Sequence, residues 1–128
     1  MKNTSNKITK SEWKVMEVIW SEGQLKASEV ISKLGKKETW NDKTIRTLIN
    51  RLVAKNILGV KKEKVNIFYP LLTKDECVKE ETENFIKRVY NGSVGLLISN
   101  FVKNDKLTDE DIKMLKNLIE EKEKEYKK

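Results

Sequence analysis

The chain has 128 residues, a net charge of +7 and 38% hydrophobic residues, the composition of one compact domain or two very small ones. No apolar run reaches the roughly 18 residues of a membrane span, the polar start at residues 1–7 lacks a signal-peptide h-region, and the lone Cys77 cannot form an internal disulfide, so a reducing cytoplasm is expected. With no histidine, one cysteine and five scattered glycines, the commonest general base, imidazole and thiolate metal sites and a phosphate loop are all missing, so no enzyme activity, metal or cofactor is expected.

Thr9 with Glu12 three residues on forms a capping box. It opens a first helix carrying Trp13, Val15, Met16, Val18, Ile19 and Trp20, an apolar face wide enough to lie across the middle of a small core. Gly23 ends it, and residues 24–27 leave room for one short strand or an extended connection. Residues 28–34, with Val30, Ile31 and Leu34, predict a short second helix closed by Gly35, and residues 36–40 read as a loop.

Residues 41–56 carry the strongest signal. Asn41 is a natural N-cap, and Ile45, Leu48, Ile49, Leu52 and Val53 recur at the spacing of a buried helix face. The opposite face carries Lys43, Thr44, Arg46, Thr47, Asn50 and Arg51, with no carboxylate after Asp42. Short hydroxyls and amides among long cations are the groups that read base edges and hold phosphates in a major groove. The alternative is an ordinary solvated cationic face.

After Asn56 the period becomes extended. Ile57, Leu58 and Val60 precede the charged run Lys61-Lys62-Glu63-Lys64, and residues 65–72 alternate with Ile67, Tyr69 and Leu71 on one side. This predicts a β-hairpin with a cationic tip, and Pro70, which has no N–H, belongs near the end of its second strand. Helix, turn, helix, loop, helix and basic hairpin is the order of a winged helix-turn-helix, in which the third helix enters the major groove.

Residues 1–72 hold 15 Lys and Arg against 7 Asp and Glu, whereas residues 73–128 hold 12 against 13. The basic surplus is thus confined to the first part, the part expected to meet a polyanion. In the second part, Thr73 and Glu76 cap a long helix with Val78, Phe85, Ile86 and Val89 on one side, and Asn91-Gly92-Ser93 interrupts it. An apolar segment with Leu96, Leu97, Ile98, Phe101 and Val102 follows, and Thr108 with Asp111 caps a last helix carrying Ile112, Met114, Leu115, Leu118 and Ile119. Three such helices bury too little surface to stand alone. The expectation is a mostly α chain with a small β-hairpin: a winged helix over residues 1–72, and a three-helix dimerisation domain over 73–128 that shares its core with a second copy. Folding back on the first part is the alternative. Phe85, Val89, Leu96, Leu97, Phe101, Ile112, Leu115, Leu118 and Ile119 are the expected dimer contacts. Cys77 reads as a small packing residue, and the charged tail after Ile119 as a frayed, solvated helix end.

Glu12-Trp13-Lys14-Val15-Met16 with Ile19-Trp20, then residues 40–52 around Thr44-Ile45-Arg46-Thr47, then Lys61-Lys62 before an alternating strand, resemble the BlaI/MecI penicillinase repressors. The likeness extends to Asn84-Phe85-Ile86-Lys87-Arg88-Val89-Tyr90 and Ser99-Asn100-Phe101-Val102, which look like the family's dimerisation segment, so it covers nearly the whole chain. The resemblance implies a homodimeric repressor of β-lactam resistance genes on a dyad operator with TACA and TGTA half-sites. It also implies release by proteolysis once a membrane-bound penicillin-sensing metalloprotease is activated, with Asn100-Phe101 matching the family's cleaved bond. Copper-responsive members carry paired C-terminal cysteines, which this chain lacks.

Arg46 is expected to read a guanine, with Lys43, Thr44 and Thr47 beside it in the groove. Asn50 joins the DNA-binding set, and Asn41, Arg51, Lys61, Lys62 and Lys64 complete it, mostly on the backbone. The rival expectations are a winged-helix repressor controlled by a small-molecule ligand and a non-specific nucleic-acid-binding protein.

Overall fold

A computed structural model describes residues 7–127, so most of the polar start expected to lack a signal peptide, residues 1–6, and Lys128 lie outside the described residues. The elements run α1 (Lys10–Glu22), β1 (Leu25–Lys26), α2 (Ala27–Lys37), α3 (Asp42–Ala54), β2 (Leu58–Lys61), β3 (Ile67–Pro70), α4 (Lys74–Tyr90), α5 (Val94–Lys103) and α6 (Asp109–Tyr126). Backbone contacts divide the chain into two compact units, the first ending at Glu81 and the second spanning Thr82–Lys128. Among the described residues, no helix is long and apolar enough to cross a membrane.

In the first unit the capping box forms as expected. The Thr9 N–H donates to Glu12 Oε1 at 2.9 Å and the Glu12 N–H to Thr9 Oγ1 at 3.1 Å. Gly23 closes α1 at φ 91°, a left-handed conformation that suits glycine, with its N–H on the Ile19 carbonyl. Val15, Met16 and Ile19 are fully buried against Val30, Ile45, Ile49, Leu52 and Ile57. Each such side chain contributes about 1.5–3 kcal/mol of transfer free energy, so the sequence periodicity of α1 and α3 is the main source of this unit's stability.

The second helix differs from its expected bounds of 28–34. It starts at Ala27, runs through Gly35 and ends at Lys37. An interior glycine costs about 0.5–1 kcal/mol, and three features offset it. Leu34 is buried, the Glu38 N–H still reaches the Leu34 carbonyl at 2.8 Å, and Lys36 and Lys37 sit where the helix dipole favours cations. The connection to α3 is therefore shorter than the expected loop.

The sheet is three-stranded and antiparallel in the order β1-β3-β2. Its register corrects the face expected from Ile67, Tyr69 and Leu71. Phe68, paired with Leu25 on one side and Val60 on the other, is the core residue at 7% exposure, while Leu71 is exposed and Ile67 and Tyr69 are half-buried. Both sheet faces carry apolar groups here, so alternation alone could not say which side faces the core. On the other face Tyr69 lies over Gly59, where an added Cβ would stand 2.5 Å from its ring. Pro70 takes the last position of β3.

The Thr73 and Glu76 box opens α4, with hydrogen bonds of 2.9 and 3.1 Å, and Cys77 packs inward as expected. Of the apolar stripe expected on this helix, Ile86 is buried, whereas Val78, Phe85 and Val89 are exposed. Asn91 and Gly92 take positive φ at the break between α4 and α5. Ser93 then caps α5 by accepting from the Leu96 N–H at 3.1 Å, and Thr108 with Asp111 caps α6. Leu96 is 56% and Leu118 52% exposed, and Ile98, Phe101, Ile112 and Ile119 are exposed with them. Leu97 and Leu115 are half-buried.

Candidate nucleic-acid interface

The two faces of α3 separate cleanly. At 100° per residue, Arg46, Asn50, Lys43, Thr47, Arg51 and Thr44 follow one another around an arc of roughly 160°, and all six are exposed. Ile45, Leu48, Ile49 and Leu52 fill the opposite arc and are buried. Half-buried Val53 lies at the edge of that core face. Asn41 caps the helix by accepting from the Thr44 N–H at 2.8 Å, which fixes the first turn and spends its side-chain carbonyl there.

The hairpin places the second group of cations. Lys61 ends β2 opposite Ile67, and residues 62–66 form an exposed connection carrying Lys62, Glu63 and Lys64. Among the described residues the ion pairs engage Lys14, Lys33, Lys55, Lys74 and Lys122, and none engages Lys43, Arg46, Arg51, Lys61, Lys62 or Lys64. The cations of α3 and of the hairpin therefore present charge with no ion pair among the described residues, whereas Lys14 of α1 and Lys33 of α2 are paired.

Two contacts that periodicity does not reveal hold α3 in place. At its C-terminal end, Lys55 Nζ donates to Glu12 Oε1 at 2.6 Å and to the Lys7 carbonyl at 2.7 Å. The Glu12 side chain is 1% exposed and that of Lys55 28%. Before its N-terminal end, Lys14 pairs with Glu38 at 3.0 Å and stands 5.7 Å from the centre of the Trp40 ring. Both anchors belong to α1, so one helix fixes the position of the recognition face at both ends. Elsewhere α1 is tied to the end of the hairpin, the Trp20 indole N–H donating to the Leu72 carbonyl at 3.0 Å, and within α1 the Trp20 ring meets Trp13 edge-on at 5.4 Å.

An open groove of about 890 Å³ runs between α1 and α2. The pairs Lys14–Glu38, Lys33–Glu22 and Lys74–Glu17 line it, unlike the mostly apolar walls of a small-molecule site.

The expected cleavage pair lies inside α5 in the second unit. Asn100 Nδ2 donates to the Tyr90 hydroxyl at 3.0 Å, and Asn104 Nδ2 donates to Asn100 Oδ1 at 2.7 Å. Asn100 and Phe101 are both exposed.

Comparison with known proteins agrees with this geometry. The model of the penicillinase repressor family matches residues 8–121. The "Methicillin resistance regulatory protein MecI" of Staphylococcus aureus (strain N315) is 34% identical over 95% of this chain and 100% of its own length. The "Penicillinase repressor" of Bacillus licheniformis is 36% identical over 89% and 90%. The solution structure of the monomeric form of Bacillus licheniformis BlaI in complex with the blaP half-operator superposes with a TM-score of 0.50 at 37% identity, covering 55% of this chain and 87% of that one.

Proposed function

The chain belongs to the penicillinase repressor family, and from that premise we propose that it is a cytoplasmic, homodimeric, non-enzymatic repressor of β-lactam resistance genes, bound to a dyad operator through α3. The observation that carries the proposal is the unpaired polar arc of α3. Six exposed side chains able to meet bases and phosphates stand on a helix whose other face is locked in the core. In this reading Arg46 is the chief base reader, Lys43, Thr44, Thr47 and Asn50 meet the DNA beside it, and Asn41, Arg51, Lys61, Lys62 and Lys64 mostly hold backbone.

Residues 73–128 form the dimerisation domain in this proposal. The exposed Phe85, Val89, Leu96, Phe101, Ile112, Leu118 and Ile119, with the half-buried Leu97 and Leu115, are the surface that a second copy covers. A membrane-bound penicillin-sensing metalloprotease releases the repressor by cutting between Asn100 and Phe101. The cut removes the last turn of α5, with Phe101 and Val102, and all of α6 from the part that holds α3.

Gel-shift titration over a range of salt tests the DNA assignment. Arg46→Ala is expected to cost about 1–3 kcal/mol on the operator and to relax sequence preference, while Lys62→Ala weakens binding to all sequences and lowers the salt slope by about one. Unchanged operator affinity for Arg46→Ala would refute the role of α3. Equal affinity of the wild-type chain for operator and scrambled DNA would instead favour a non-specific binder.

A further inference from the structure

The arc of α3 is bordered on one side by Arg46 and Asn50, four residues apart. The same two residues wall a cleft of about 260 Å³ whose other lining residues are Ala27, Ile49, Val65, Asn66 and Phe68. Register explains the meeting. Lys26 pairs with Ile67 in the sheet, so the next residue on each side, Ala27 and Asn66, flank the same spot. Buried Ile49 and Phe68 form the floor, Arg46 and Asn50 one wall, and Val65 and Asn66 the other. The part of the hairpin that approaches the reading edge of α3 is thus its uncharged return, Val65 and Asn66. Neither belongs to the cationic set Lys61, Lys62 and Lys64. Val65 is 53% exposed, an apolar β-branched side chain left in water beside a guanidinium and an amide.

We infer that Val65 and Asn66 are specificity-determining residues, an uncharged extension of the DNA reader that grips the strand passing between α3 and the hairpin. Three features choose DNA as the occupant. The cleft is continuous with the polar arc of α3, its one charged wall residue is Arg46, which suits a polyanion, and its volume falls below the roughly 300–1,000 Å³ of small-molecule pockets. Val65 supplies an apolar contact to a thymine methyl, and the Asn66 amide supplies a hydrogen bond to a base edge. Being neutral, neither residue releases counterions when it binds. Their contribution is therefore independent of salt, unlike that of a lysine on a phosphate.

The inference rests on α3 being the DNA reader, and the test separates the two. The wild-type chain selects duplexes from a random pool, and fluorescence anisotropy then measures affinity for the selected duplex across a salt series. Val65→Ala and Asn66→Ala are each expected to weaken binding about threefold to tenfold with an unchanged salt slope, and Val65→Ile to retain affinity. Repeating the selection with the Ala variants should show relaxed preference at the flanking base positions. Unchanged affinity overturns the inference, as does a loss accompanied by a slope reduced like that of Lys62→Ala. If Arg46→Ala also binds like wild type, the reading of α3 itself fails. If Arg46→Ala weakens binding and the two hairpin variants do not, only the present inference falls.

Discussion

Removing Lys55 should destabilise the first unit far more than neutralising its partner. Glu12 is a carboxylate with 1% of its side chain exposed. Its Oε1 accepts from Lys55 Nζ and the Thr9 N–H, and among the described residues its Oε2 has no hydrogen-bond partner. Lys55→Met leaves that charge buried with one backbone donor. Breaking a buried pair typically costs about 3–5 kcal/mol. Lys55 is 28% exposed, so water can reach part of the vacated space, and we expect about 2–4 kcal/mol. This is a large share of the roughly 5–15 kcal/mol that holds a domain together. Glu12→Gln behaves differently. Glutamine still accepts from the Thr9 N–H in the capping box, and the Lys55 ammonium keeps the Lys7 carbonyl at 2.7 Å, so less than about 1.5 kcal/mol should be lost. The double variant should be more stable than Lys55→Met alone, with a coupling of about 1–3 kcal/mol. All three tryptophans, Trp13, Trp20 and Trp40, lie in the first unit, so urea unfolding followed by tryptophan fluorescence reports on this unit. If Lys55→Met and Glu12→Gln shift its stability equally, the cost does not come from leaving the Glu12 carboxylate buried without Lys55.

Gly59→Ala places a Cβ 2.5 Å from the Tyr69 ring and should cost about 1–3 kcal/mol in a thermal melt through overpacking; the added Tyr69→Ala should recover part of that loss, and an unaffected Tm for the single variant would contradict the packing described. Asn41→Ala removes the acceptor of the Thr44 N–H and should destabilise by about 1 kcal/mol, while Asn41→Asp, which restores an acceptor, should not. A fragment of residues 1–100, mimicking cleavage, is expected to sediment as a monomer and to bind operator on the order of 10²-fold more weakly than the full chain; an unchanged dimer would remove cleavage at Asn100 as the means of release.

Much of this architecture can be read from the sequence because it is local. The boxes at Thr9, Thr73 and Thr108 each need only two residues three apart, and all three form. The buried positions Ile45, Leu48, Ile49 and Leu52 follow from one period. Failures appear where a tertiary contact overrides a local rule. Gly35 is a plausible helix stop until buried Leu34 holds the turn around it, and Phe68 rather than its alternating neighbours enters the core, set there by its pairing with Leu25 and Val60 in the sheet. In the interface, the polar arc of α3 is predictable and the other wall of its cleft is not. Val65 and Asn66 lie 19 and 16 residues from Arg46 and Asn50, and they meet through the pairing of β1 with β3. Likewise Lys55 reads as one more cation after α3, and only the fold shows it closing on Glu12.

The anchoring of α3 bears on how the proposed repressor can be controlled. A signal could act by tilting the recognition helix, but both ends of that helix are tied to α1, through Glu12 and Lys55 and through Lys14, Glu38 and Trp40. Tilting it would break a buried ion pair or strip Leu48, Ile49 and Leu52 from the core, at a cost of about 3–5 kcal/mol or more, a large share of the unit's stability. A reader this firmly held keeps its own affinity for a half-site. What can change cheaply is the coupling between two half-sites, where effective concentration is worth 10²–10⁴ in affinity. The residues proposed to supply that coupling lie on α4, α5 and α6, and the proposed cut falls one turn before the end of α5, separating Phe101 from Leu96, Leu97 and Ile98. One broken peptide bond there would lower operator occupancy with every DNA contact intact. The stability of the first unit and its affinity for a single half-site should therefore survive cleavage unchanged, while binding to the paired site does not.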